Sequence, residues 1–182
     1  MQRIPSIQPN AATGKTKDLL DGVKAKIGIV PNLYKLLAQS PAGLEGVLQF
    51  SGALAGGSLD AATRERIALA VANVNGCDYC NAAHTAVAKS LKLPPEEMEA
   101  NRQGRSSDPR ADVAVAFARK VAVTRADVGE DDVQTLRQAG YSDAQIIEIV
   151  LNVAANVVTN YVNEAFKTEI DFPRAAPATR AA

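Results

Sequence analysis

The sequence predicts an all-α domain, and three observations carry that prediction. Apolar residues recur at three- and four-residue steps through nearly every segment. No segment alternates apolar and polar residues over a useful length. The composition is alanine-rich, with no Trp and only 4 Tyr and 4 Phe, a bias toward closely packed helices over sheets. At 182 residues the chain amounts to one domain, long enough to bury a core without disulfide staples.

The elements follow in order. Leu19, Leu20, Val23 and Ile27 form one stripe over 15–27, and Gly28 and Pro31 end it. A short helix over 32–39 stops before Pro41. Leu44, Val47, Leu48 and Leu54 mark a third, broken at Gly56 and Gly57. Asp60 is an N-cap for a helix to about Asn75, closed by Gly76. The next begins at the cysteine pair and runs to about Lys92, ahead of Pro94 and Pro95. Residues 101–109 read as a polar loop. Asp108-Pro109 is an N-cap followed by a first-turn proline, and Val113, Phe117 and Val121 carry the helix beyond it. Ser142-x-x-Gln145 is a capping box opening a long helix over about 143–168. Its Ile, Val and Leu residues spread around more than one face, so it is buried on most sides. The surplus face predicts a subunit interface. The expectation is about seven to nine helices in one domain over 1–173, with an N-terminal helical arm and a core motif at 60–91. Residues 174–182 form a small polar tail expected to be disordered.

Charge and composition exclude several classes. Twenty Lys and Arg balance twenty Asp and Glu, for a net charge of zero. A nucleic-acid binder needs a basic footprint to displace counterions from phosphates. No long single-sign run offers an electrostatic membrane anchor. No stretch of about 18 apolar residues argues for a membrane span. The first ten residues lack the apolar core of a signal peptide, so the expected location is the cytoplasm. There, two nearby cysteines do not form a permanent staple.

The only two cysteines, Cys77 and Cys80, and the only histidine, His84, fall close together. On a helix with 100° per residue all three share one face, within about 60° of one another. Helical residues three apart have α-carbons about 5 Å apart, inside the window for a disulfide. A helix start favours a thiolate through its free N–H groups and dipole. His84, one turn beyond Cys80, is close enough to exchange a proton with it. On the preceding helix Glu65 is the only acid in an apolar span, pointing along Ala61, Ala68, Leu69 and Ala72. A dry stripe disfavours the ionised carboxylate and makes Glu65 a candidate general base. A pairing of Glu65 with a core Arg is the alternative, with Arg64 and Arg66 on either side. Zinc is a second alternative: Cys77, Cys80 and His84 supply three ligands, and Glu65 could complete four. Haem attachment needs His directly after the second Cys, where Asn81 stands. Inert core cysteines would leave the placement of the only His unexplained.

Glu65, then Cys77-Asp78-Tyr79-Cys80, then His84, with Thr63-Arg64-Glu65-Arg66 opening the motif helix and Asn75-Gly76 before the first thiol, resembles the E-x11-C-x2-C-x3-H core of the alkylhydroperoxidase D-like proteins. These belong to the carboxymuconolactone decarboxylase-like family. Tyr161 and the Asp171-Phe172-Pro173 end resemble its peroxidase-related members. The resemblance implies an all-helical fold, trimers or hexamers, and thiol-dependent reduction of organic hydroperoxides or hydrogen peroxide with no cofactor or metal. It makes Cys80 the peroxidatic thiol, attacking the O–O bond and becoming a sulfenic acid. Cys77 becomes the resolving thiol that closes the disulfide. Glu65, acting through His84, becomes the base, and an external dihydrolipoamide-like or thioredoxin-like dithiol the reductant. Tyr79 stands where the namesake has a second His between the thiols, so a relay member is either missing or replaced by a phenol. A redox-sensing or disulfide-exchange protein and a lactone decarboxylase are the alternative functions.

Overall fold

The computed structural model describes residues 1–175, and among them the chain is all helical. Nine helices are present: α1 (Gly14–Ile27), α2 (Asn32–Leu37), α3 (Pro41–Ala55), α4 (Ala61–Val74), α5 (Asp78–Ser90), α6 (Pro95–Arg102), α7 (Pro109–Thr124), α8 (Glu130–Gln138) and α9 (Asp143–Phe166). The expected tail at 174–182 lies, apart from its first two residues, outside the described residues.

The caps fall where the sequence puts them. The Asp60 carboxylate accepts from Thr63 N at the head of α4, and Asp108 accepts from Arg110 N and Ala111 N at the head of α7. Ser142 and Gln145 close the capping box of α9 reciprocally. Two prolines read as terminators act as starters instead. Pro41 and Pro95 sit in the first turns of α3 and α6, where a missing N–H costs no helical bond. Helix α6 therefore fills the stretch ahead of the loop expected at 101–109 and takes in only the start of it, with Glu96 and Glu97 favourably placed at its positive end.

Helix α4 is the central element and packs against α5, α6, α7 and α9. Ile67 and Val71 of α4 meet Phe117 and Val121 of α7, Leu136 of α8, and Ile149 and Val153 of α9 in the main core. Burying each such side chain stabilises the fold by about 1.5–3 kcal/mol. Helices α1–α3 hold a second cluster of their own around Leu20, Val23, Val30 and Leu44.

Polar anchors fix the loops around α4. Glu97 is buried and accepts from Arg66 Nε (2.7 Å), Asn101 Nδ2 (3.0 Å), Ser107 N (2.7 Å) and both Ser106 and Ser107 hydroxyls. Burial alone would raise its carboxyl, but these donors hold it far below the ordinary range. Arg66 is thereby committed to Glu97, so the pairing of Glu65 with this Arg does not occur. On the other side, Glu148 of α9 accepts from Ser58 N and Leu59 N, tying the α3–α4 loop to the head of α9.

Among the described residues, α9, the long helix expected over about 143–168, alone is long and apolar enough to cross a membrane. One face of it packs against α4, α7, α3 and α5 and buries four asparagines, Asn152, Asn156, Asn160 and Asn163, while Ile147 and Tyr161 on another face are exposed.

Candidate active site

The site forms where α4, α5 and α9 meet. Gly76, at φ 64°, turns the chain between α4 and α5 in the left-handed region that glycine adopts without strain. Cys77 is the N-cap of α5, one residue outside the helix, and its Sγ accepts from Cys80 N at 3.3 Å. Cys80 therefore lies in the first turn of α5, at the positive end of the helix dipole. Both thiols are free and buried.

The two sulfurs sit in different surroundings. Cys80 receives the Asn163 amide, with Nδ2 at 3.2 Å from Sγ, and a hydrogen bond from the Cys77 thiol. Burial pushes the Cys80 thiol up. The Cys77 donor, the charge of His84 and the amides of Asn163 and Asn160 outweigh burial and lower it to about 7. Cys77 is pushed far above the ordinary thiol value, first because it donates to Cys80 and then because it is buried. Of the two, Cys80 is the sulfur favoured as a thiolate and Cys77 the one favoured as a thiol.

His84 Nδ1–H donates to Glu65 Oε1 at 2.5 Å. The two side chains come from adjacent helices and are mostly enclosed, with relative exposures of 26% for His84 and 12% for Glu65. Burial pulls the imidazole down, but the Glu65 carboxylate beside it overrides this, and with the Cys80 sulfur raises it to about 9. Glu65 sits on an enclosed face of α4, and its partner is the imidazole rather than an arginine. All four sequence-predicted side chains are thereby brought together. Among the described residues no group of three His, Cys, Asp or Glu side chains is arranged to hold a metal ion.

Tyr79 does not take the place of a second relay histidine. Its hydroxyl donates to Asp171 Oδ1 (2.9 Å) and accepts from Leu33 N (3.1 Å), and burial pushes the phenol well above its ordinary value. Asp171 also accepts from Asn32 N at 2.7 Å, at the start of α2. Phe172 packs edge-on against the Tyr79 ring, with centroids 5.7 Å apart. The Asp171-Phe172 segment is therefore a clasp that holds the chain's end over the site.

A cavity of about 300 Å³ borders this group. Cys80 and His84 line it together with Leu33, Leu54, Val87 and Phe172, while α9 contributes Asn152, Asn156 and Asn163. Cys80 faces the cavity and Cys77 does not. Sequence reasoning missed the asparagines. Their signal is spacing: Asn152, Asn156, Asn160 and Asn163 recur at helical steps in an otherwise apolar helix, so one face of α9 is polar where burial is deepest.

The pattern of the Carboxymuconolactone decarboxylase family matches residues 41–120, which include the whole four-residue group. The fold is that of an alkylhydroperoxidase AhpD core, an uncharacterized peroxidase-related protein from Ralstonia eutropha JMP134. The likeness has a TM-score of 0.84 and 25% identity, over 93% of this chain and 92% of that one. Residues 41–120 thus carry the carboxymuconolactone decarboxylase family pattern in a chain with the fold of an alkylhydroperoxidase AhpD core. An uncharacterized peroxidase-related protein from Silicibacter sp. TM1040 is similar at TM-score 0.76 and 28% identity, over 89% of this chain and 85% of that one. The debrominase Bmp8, a C82A form solved with 2,3,4-tribromopyrrole, shares the fold of this chain at TM-score 0.77 and 18% identity, over 92% and 91% of the two chains. Among curated proteins none matches the sequence.

Proposed function

We propose that this protein is a thiol-dependent peroxidase acting on organic hydroperoxides or hydrogen peroxide. The observation that carries the reading is the asymmetry of the two sulfurs: Cys80 borders the cavity and is favoured as a thiolate, while Cys77 lies behind it as a protonated donor. The Cys80 thiolate attacks the terminal oxygen of the peroxide. The O–O bond breaks, the sulfur takes the hydroxyl as a sulfenic acid, and the alkoxide leaves with a proton from His84. Glu65 holds His84 in the charged form that supplies this proton. Cys77 then attacks the sulfenic sulfur, a disulfide forms and water leaves. An external dithiol restores both thiols by exchange and is itself oxidised to a disulfide.

Intact-mass spectrometry before and after one equivalent of peroxide tests the reading. The expected result is a loss of about two mass units, one hydrogen from each thiol, mapped to a Cys77–Cys80 bond. An unchanged mass overturns it. Continued peroxide consumption with a supplied dithiol separates an enzyme from a sensor that reacts once.

The reading includes a second copy of the chain. Ile147, Leu151, Val158 and Tyr161 form an exposed apolar stripe along α9, with Ile147 61% and Tyr161 62% exposed. Their spacing of four, seven and three keeps them on one face, the kind of surplus that marks an interface. Light scattering is expected to give a multiple of the 19.1 kDa chain mass, and Tyr161→Glu to lower it toward one chain. A single-chain mass for the unmodified protein removes this part. The reading also includes a cytoplasmic site of action, where free thiols persist.

A further inference from the structure

We propose that Asn163 is the positioning residue of the Cys80 sulfur in both of its working states: Nδ2–H holds the thiolate, and Oδ1 accepts the O–H of the sulfenic acid that replaces it. The inference rests on the peroxidase reading for its second half and on geometry for its first.

Asn163 lies on the buried face of α9, and its Nδ2 is 3.2 Å from Cys80 Sγ. A contact of that length to sulfur is a hydrogen bond, stronger to a thiolate than to a thiol because the acceptor carries charge. The carboxamide has a second end. Its Oδ1 is buried and has no hydrogen-bond partner among the described residues, although buried polar atoms are nearly always paired. A thiolate cannot satisfy it, because neither partner would bring a hydrogen. Oxidation changes that: Cys80–SOH brings one O–H donor to the position beside the amide. Reduced sulfur needs the donor end and oxidised sulfur the acceptor end, and one side chain holds both.

The sulfur's other neighbours do not duplicate this. On α5 are the Cys77 thiol, His84 and the Tyr79 hydroxyl, which is occupied by Asp171 and Leu33. On α4, Glu65 acts through His84. On α9, Asn160 approaches the same sulfur and accepts from Asn75, and the carboxylate of Glu164 bears on Cys77. Asn163 is the group with a hydrogen-bonding atom on the sulfur and a free acceptor on the same plane.

The test uses the full chain in a Cys77→Ser background, which keeps an O–H donor and an N-cap acceptor at that position. Asn163→Leu removes both ends of the amide, and Asn163→Asp keeps the shape while removing the donor. Thiolate absorbance and alkylation rate against pH read the first role. Both variants are expected to move the Cys80 midpoint up by about one pH unit, which slows alkylation below the midpoint about tenfold. Trapping of the sulfenic acid with a dione after one equivalent of peroxide reads the second. Its lifetime is expected to fall severalfold in Asn163→Leu and to be retained in Asn163→Asp, which still carries an acceptor. Should Asn163→Leu fail to fold, Asn163→Ala, which removes both ends of the amide without adding a charge, decides the first role. Midpoints unchanged in the folded variants overturn the proposal and leave Asn163 a packing residue. A shifted midpoint in a protein that forms no sulfenic acid sustains the thiolate role and sinks the peroxidase reading instead.

Discussion

Cys80→Ser is expected to abolish peroxide turnover, by at least about a thousandfold, because a hydroxyl cannot replace a thiolate as nucleophile toward an O–O bond. Cys77→Ser is expected to behave differently. Its Cys80 still carries the Asn163 and His84 contacts, so the first oxidation proceeds and consumes one equivalent. The cycle then stops at the sulfenic acid for want of a resolving sulfur. Single-turnover peroxide consumption, followed by stopped flow for both variants, distinguishes these outcomes. Sustained turnover by Cys80→Ser would remove the cavity-facing sulfur from the chemistry.

The pH profile is the second large effect. The rate is expected to rise as pH passes about 7, where Cys80 loses its proton. It is expected to fall as pH passes about 9, where His84 loses the proton it would give to the leaving oxygen. The two limbs respond to different residues. His84→Gln removes the positive charge that favours the thiolate, so the rising limb moves up toward the ordinary thiol value, and the rate at neutral pH falls about a hundredfold. Glu65→Gln removes the carboxylate that keeps the imidazole charged. The falling limb then moves down from about 9, and the bell narrows from its alkaline side. A profile of kcat/KM unmoved in both variants would separate the Glu65–His84 pair from catalysis, however well it is placed.

How far these features were legible in the sequence varies with their cause. Caps are local chemistry, so Asp60, Asp108 and Ser142 announce α4, α7 and α9 within a residue. Pro95 and the acidic turn after it carry an equally local signal for α6, but a proline both ends and begins helices, and the sequence reading took the first meaning. The Glu65, Cys77, Cys80 and His84 group was legible because its members lie on two consecutive helices and each is scarce or out of place. Asn163 was not. It reaches Cys80 across 83 positions of chain, and a search for apolar periodicity counts asparagine as absence of signal. Arg66 against Glu97, 31 positions away, is the same case: adjacency made it a candidate partner for Glu65, and only the packing of α6 on α4 decides otherwise.

The sulfur of Cys77 caps α5 and shares its hydrogen with Cys80, and both bonds exist only in the dithiol form. Closing the proposed disulfide would remove the shared hydrogen. Contacts that favour the reduced form raise the midpoint potential of a couple. In the proposed peroxidase cycle these contacts would favour the dithiol over the disulfide and so ease its reduction by an external dithiol.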